Sequence, residues 1–200
     1  MQIAPGFDSS DWAVLRLDEA SSPDWYRAID ILDSRIRGRF IDPVDCLLAA
    51  EMGKPAAERR FGFAILAIDC LLVETLGAFV EGLEDTKDKS EDTFCRFLST
   101  RPLFAKSFTP QLAKQFYREY RCGILHQAEV GGSSRVWSVG ELVRADGGAL
   151  TVNRTRFHDV LKEELTNYVH ELQDPAAVDL RTKFRRKMDF ICRSGTTRNT

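Results

Sequence analysis

Residues Phe61 to Val80 read FGFAILAIDCLLVETLGAFV, and this stretch decides the fold. It is 20 residues long and almost wholly apolar, enough to cross a bilayer by length alone. Asp69 and Glu74 interrupt it, and each acid at a bilayer centre costs about 2.5–3.5 kcal/mol on insertion. No second apolar span exists to pair those acids, so the stretch is expected to be the central, almost all-round-buried helix of a bundle. Phe61, Ile65, Ile68, Leu72 and Leu76 form its expected core face, part of which could alternatively meet a dimer partner. Asp69 and Glu74 must each face a partner, solvent or a site, because burying an unpaired carboxylate is costly.

On the N-terminal side, Asp42-Pro43 restarts the chain into a short apolar helix over Val44 to Met52, and Gly53-Lys54-Pro55 is a loop before the long helix, expected over residues 56–82. Ser22-Pro23-Asp24 is a helix start, with Trp25, Ile29, Leu32 and Ile36 recurring on one face. Residues 1–20 read as an irregular arm, in which Ala13, Leu15 and Leu17 alternate as a short strand would. The first residues carry neither a basic nor an apolar signal-peptide region.

On the C-terminal side, Glu81 to Asp92 is an acidic connection and Phe94 to Leu98 a helical turn. Thr109-Pro110 starts a helix from Gln111 to about Glu129, stopped by Gly131-Gly132. Residues 135–152 switch to strand periodicity, with Asp146-Gly147 as a hairpin turn signal. Asn153 caps a helix running to about Gln173, Asp174-Pro175 starts the last helix, and residues 194–200 are expected to be a disordered tail. The expected architecture is therefore all-α: a helical bundle over residues 21–193 with one small inserted β-hairpin.

Of 200 residues, 28 are Lys or Arg and 30 are Asp or Glu, giving a net charge of −2. That balance excludes a uniformly basic nucleic-acid-coating protein, so any polyanion site must be local. The five cysteines have no CxxC spacing and the three histidines are scattered, which argues against a zinc site. Five widely spaced cysteines suit a reducing, cytoplasmic setting. No glycine-rich phosphate loop, G-x-S-x-G or HExxH motif occurs, and no metal or cofactor is implied.

The densest reactive stretch is YREYRCGILHQAEVGG, Tyr117 to Gly132. Arg121 and His126 are five apart, roughly 140° around an ideal helix, so they flank a cleft rather than stack. His126 lies in the last turn, where the helix dipole favours a cation and suits a proton donor or acceptor near neutral pH. Cys122 is the i, i+4 neighbour of His126, either an inert packing residue or a thiol beside a base. Gly123 leaves room for a close backbone or ligand. Structurally, Arg121 could instead form a surface ion pair with Glu119 or Glu129, and His126 could be a satisfied, partly buried histidine.

Arg121-Cys-Gly-Ile-Leu-His126 resembles the R-x(4–6)-H motif of the HEPN superfamily, and the likeness extends over roughly residues 60–172. The resemblance implies a helical bundle acting as a metal-independent endoribonuclease of the toxin–antitoxin or defence kind, cytoplasmic and homodimeric, with RNA as substrate. It implies Arg121 and His126 as the catalytic pair, with Asp69, Glu74, Cys122 and Gln127 as possible site support, and a possible neutralising or system partner protein. Cys122 stands where many members carry Asn, Asp or His after the arginine. The alternative is a catalytically inactive HEPN-like module that binds a nucleotide or RNA or serves as a scaffold.

Weaker RNA-binding candidates are Arg118 and the C-terminal cations Arg181, Arg185 and Arg186, which otherwise form the solvated side of an amphipathic helix whose Phe184, Met188 and Ile191 pack inward. His158 and His170 are expected to be solvated or packing residues.

Overall fold

The computed structural model describes residues 1–194; of the tail expected over residues 194–200, Ser194 ends the last helix and residues 195–200 lie outside the described residues. The fold is predominantly helical, with two small sheets. The chain opens with strands β1 (Gln2–Ala4) and β2 (Phe7–Asp8), then helix α1 (Ser9–Ala13) and helix α2 (Asp24–Ile36). Of the two alternatives for this arm, a short strand over Ala13 to Leu17 or an arm lying against the core, the strand does not form. Ile3, Ala4, Trp12 and Leu17 are buried instead, and the Trp12 indole donates to Asp189 at 2.7 Å, tying the arm to the last helix.

A π-helical turn (Arg37–Ile41) leads directly into α3 (Asp42–Ala49), and α4 (Gly62–Glu81) follows. The expected start of α4 near residue 56 moves to Gly62. Residues Ala56–Glu58 form a single 3₁₀ turn, and the Glu51 carboxylate accepts the backbone N–H groups of Arg60 and Phe61 just before the helix. Glu51 thus supplies from α3's trailing loop the capping oxygen that α4 lacks locally. Among the described residues α4 alone is long and apolar enough to cross a membrane, and it packs against α5 (Ser90–Thr100) and two later helices inside the core. Ile65, Leu72 and Leu76 are buried as expected, whereas Phe61 and Ile68 are half-buried.

After α5 come α6 (Pro102–Ala105) and α7 (Pro110–Phe116), whose Thr109 cap accepts from the Leu112 N–H. The helix continues without a break through a π-helical turn (Tyr117–Cys122) into α8 (Gly123–Gln127). It stops at Ala128, in the left-handed region at φ 53°, ahead of the expected Gly131-Gly132 stop. The reason is a close approach: a Cβ on Gly123 would lie 2.5 Å from the Glu129 carbonyl oxygen, so the chain doubles back over its own glycine.

Strands β3 (Arg135–Trp137), β4 (Val143–Asp146) and β5 (Ala149–Asn153) form a three-stranded sheet in the order β3-β5-β4. The expected hairpin is its β4–β5 half, antiparallel and closed by Gly147-Gly148, both at positive φ. Strand β3 falls at the start of the same expected stretch of strand periodicity and runs parallel to β5. Asn153 caps α9 (Arg154–Gln173) by accepting from Thr155 and Arg156, and α10 (Val178–Ser194) closes the bundle. It begins four residues later than expected because Asp174 forms a local turn, accepting from the Ala176 N–H.

The core has an aromatic centre between α5, α7 and α9. Phe116 stacks on Tyr120 at 4.7 Å and lies 5.2 Å from Phe157, with Phe94, Phe104 and Phe108 around them, all fully buried. This cluster fixes the motif-bearing helix against the bundle.

Candidate functional site

Two anchors orient the helix from Pro110 to Gln127. Tyr120 is fully buried, and its hydroxyl sits between the carbonyl oxygens of Leu150 (2.7 Å) and Arg135 (2.8 Å), pinning the π-helical turn to the sheet. Arg121, the next residue, faces α4. Its Nη2 donates to Glu74 at 2.9 Å, and its guanidinium lies over the Tyr117 ring at 5.4 Å. Glu74 also accepts from the hydroxyls of Thr86 (2.6 Å) and Ser90 (2.7 Å). Burial pushes the Glu74 carboxyl up, but these hydroxyls and the Arg121 cation more than offset it and hold the group below the ordinary glutamate value. Burial likewise lowers Arg121, and Glu74 reverses that, leaving the guanidinium a firmer cation than usual.

His126 lies on a different face. It is exposed and lines a shallow open groove with Arg118, Glu119, Cys122 and Gln127. Glu119 is committed elsewhere, accepting from Gln115 and from the Ser134 hydroxyl. Arg118 is exposed and has no side-chain partner among the described residues, which leaves its charge uncommitted in this groove. Cys122 is half-buried at the groove's floor. Within one chain Arg121 is turned toward α4 and does not line the groove that holds His126.

The two acids of α4 diverge. Glu74 reaches the motif arginine. Asp69 turns instead to α9, where its Oδ1 lies 2.8 Å from His158 Nδ1, and both side chains are fully buried. Asp69 therefore does not join Arg121 and His126, and His158 is an interior partner rather than a solvated residue. Burial raises the Asp69 carboxyl, opposed by the bond to His158. The packing alternative for His158 had a signal in the sequence: three and seven residues before Leu161 and Leu165, it lies on the core-facing side of α9.

The C-terminal cations also separate. Arg181 points inward. It donates to the carbonyls of Leu172 (2.8 Å), Gln173 (3.0 Å) and Ala20 (2.7 Å) and stacks over Trp25, so it closes the end of α9 and is not available to a phosphate. Arg185 pairs with Asp18 at 2.7 Å on the surface, and Arg186 lies 3.9 Å from Glu84. Among the described residues no group of three or more His, Cys, Asp or Glu is arranged to hold a metal ion. No protein-family model, curated protein or solved structure matches this chain.

Proposed function

We propose that the chain is a HEPN-like, metal-independent endoribonuclease that acts as a homodimer in the cytoplasm, within a toxin–antitoxin or defence system that includes a neutralising partner protein. The observation that carries the reading is the R-x4-H pair at the end of a helix packed on an acid-bearing apolar helix, with Glu74 fixing Arg121 and His126 left open.

A second copy is the natural complement. On α4 the residues Ala64, Ala67, Ile68, Leu71 and Thr75 form a stripe at helical spacing that its own chain leaves partly exposed. Leu71 is 42% exposed and Leu125, on the adjoining α8, is 40% exposed. Two-fold apposition of this face would bring two motif helices together, so that each arginine could serve the other copy's histidine.

In the proposed reaction the RNA 2′-oxygen attacks the adjacent phosphorus as one His126 removes its proton. The P–O5′ bond breaks, and the second copy's His126 protonates the departing 5′-oxygen. Arg121 offers fixed positive charge to the phosphorane-like transition state. The products are a 2′,3′-cyclic phosphate and a 5′-hydroxyl. Purified protein incubated with single-stranded RNA in EDTA should cleave it, and His126→Ala should abolish cleavage while retaining the fold.

One observation favours the second reading, a non-cleaving RNA- or nucleotide-binding module: Glu74 neutralises Arg121, and Arg121 and His126 do not share a groove within one chain. RNA retention by the parent protein without strand scission would select that reading.

A further inference from the structure

A second cleft lies away from the His126 groove, where the N-terminus of α4 meets the N-terminus of α9 and the edge of the three-stranded sheet. It encloses about 380 Å³, within the size range of small-ligand sites. Its walls include Arg59, Arg60 and Arg154 together with Phe63, Trp137 and Ser138, and no acidic side chain lines it.

The three cations differ in how they are held. Arg154 is 3% exposed. Its Nη2 donates to the equally buried Glu51, while its Nη1 has no partner. A guanidinium this deep with an unused donor marks an incomplete polar arrangement. Arg59 uses its Nε on the Lys54 carbonyl at 3.1 Å and has no carboxylate partner among the described residues. Arg60 is exposed, and only its backbone N–H is engaged, by Glu51. Glu51 balances one of the three charges from behind, so the cleft carries a net positive field. The N-terminal end of α4 is already capped by the same Glu51 carboxylate, so the positive field rests on the arginine side chains.

The lining is also aromatic. Trp137 is 42% exposed, although tryptophan normally buries its large ring, and the Arg144 guanidinium lies over it at 5.9 Å. Phe63, also in the lining, is 37% exposed. A cluster of guanidinium groups facing an open indole suits a ligand with a phosphate at one end and a planar ring at the other. We infer that this cleft binds a nucleoside phosphate: Arg59 and Arg60 take the phosphate and Trp137 stacks on the base. It is independent of the ribonuclease reading, since none of its residues lines the His126 groove.

The test is isothermal titration of the full chain with AMP, inorganic phosphate and a short oligoadenylate RNA. AMP should bind saturably. Arg60→Glu should weaken AMP by at least about tenfold, and Trp137→Ala should weaken it about tenfold while leaving inorganic phosphate unchanged. His126→Ala should bind AMP as the parent does, which separates this site from the proposed active site. Tighter binding of the RNA than of AMP, with the same sensitivity to both substitutions, identifies a nucleotide within RNA as the natural ligand. AMP binding with no RNA binding identifies a free nucleotide. Absence of saturable AMP binding, or AMP binding insensitive to both substitutions, overturns the inference. Arg60 and Trp137 are both exposed, and an unchanged melting temperature confirms that each variant is folded.

Discussion

Replacing Glu74 by Gln isolates the contact that ties the motif arginine to the bundle. In the parent, one carboxylate accepts from Thr86, Ser90 and Arg121 at 2.6, 2.7 and 2.9 Å, and the Glu74 and Arg121 side chains are only 12% and 17% exposed. Gln keeps the shape and an oxygen for the hydroxyls but removes the charge facing Arg121, whose Nε is already buried without a partner. A hydrogen bond to a charged group contributes about 1.5–3 kcal/mol, and breaking a fully buried pair costs about 3–5 kcal/mol. With both side chains slightly solvated, Glu74→Gln should cost about 2–3 kcal/mol near neutral pH, read by urea unfolding with an unchanged slope. The pH dependence has a fixed sign. Glu74 is depressed in the folded state, so its contribution is present above its unfolded value of about 4.3 and is lost as the pH falls through the lower folded value. The gap between parent and variant should therefore narrow in acid. A loss under about 0.5 kcal/mol at neutral pH, or a gap that persists unchanged in acid, would refute the assignment of Glu74 as the anchor of Arg121.

Gly123→Ala should lower the melting temperature although alanine is the better helix former, because the new methyl meets the Glu129 backbone oxygen at 2.5 Å; about 1–3 kcal/mol is expected in denaturant unfolding. His158→Ala strands the buried Asp69 carboxyl and should cost about 3–5 kcal/mol, whereas the double change Asp69→Leu with His158→Leu should recover most of it in the same assay. Phe116→Ala removes the ring that joins the aromatic core of α5, α7 and α9, with an expected loss of about 3–5 kcal/mol and a matching fall in thermal stability.

Local chemistry made much of this fold legible. Thr109 and Asn153 cap the helices that their side chains mark, and the α9 helix ends at Gln173 as its apolar stripe suggests. The acids inside the α4 segment had to face a partner, solvent or a site, and both meet side-chain partners. What the sequence concealed was non-local. The start of α4 is set by Glu51, a residue ten or eleven positions upstream of the first helical turns, and no cap signal lies beside Phe61. The divergence of Asp69 and Glu74 depends on which neighbours pack on each side of α4, and the four residues separating them do not announce it. Arg181 and Arg186 look alike in a basic run, yet one caps a buried helix end and the other is exposed. The Arg59, Arg60 and Trp137 cleft joins segments more than seventy residues apart in the chain, so no local motif marks it.

The most direct measurement for the ribonuclease reading compares a single-stranded RNA with its fully 2′-O-methylated counterpart, both in EDTA, using the intact protein and its His126→Ala variant. The expected result is cleavage of the unmodified RNA alone, by the parent alone, leaving a 5′ fragment that ends in a 2′,3′-cyclic phosphate. Cleavage of the 2′-O-methylated RNA, or undiminished cleavage by His126→Ala, would contradict 2′-hydroxyl attack assisted by His126.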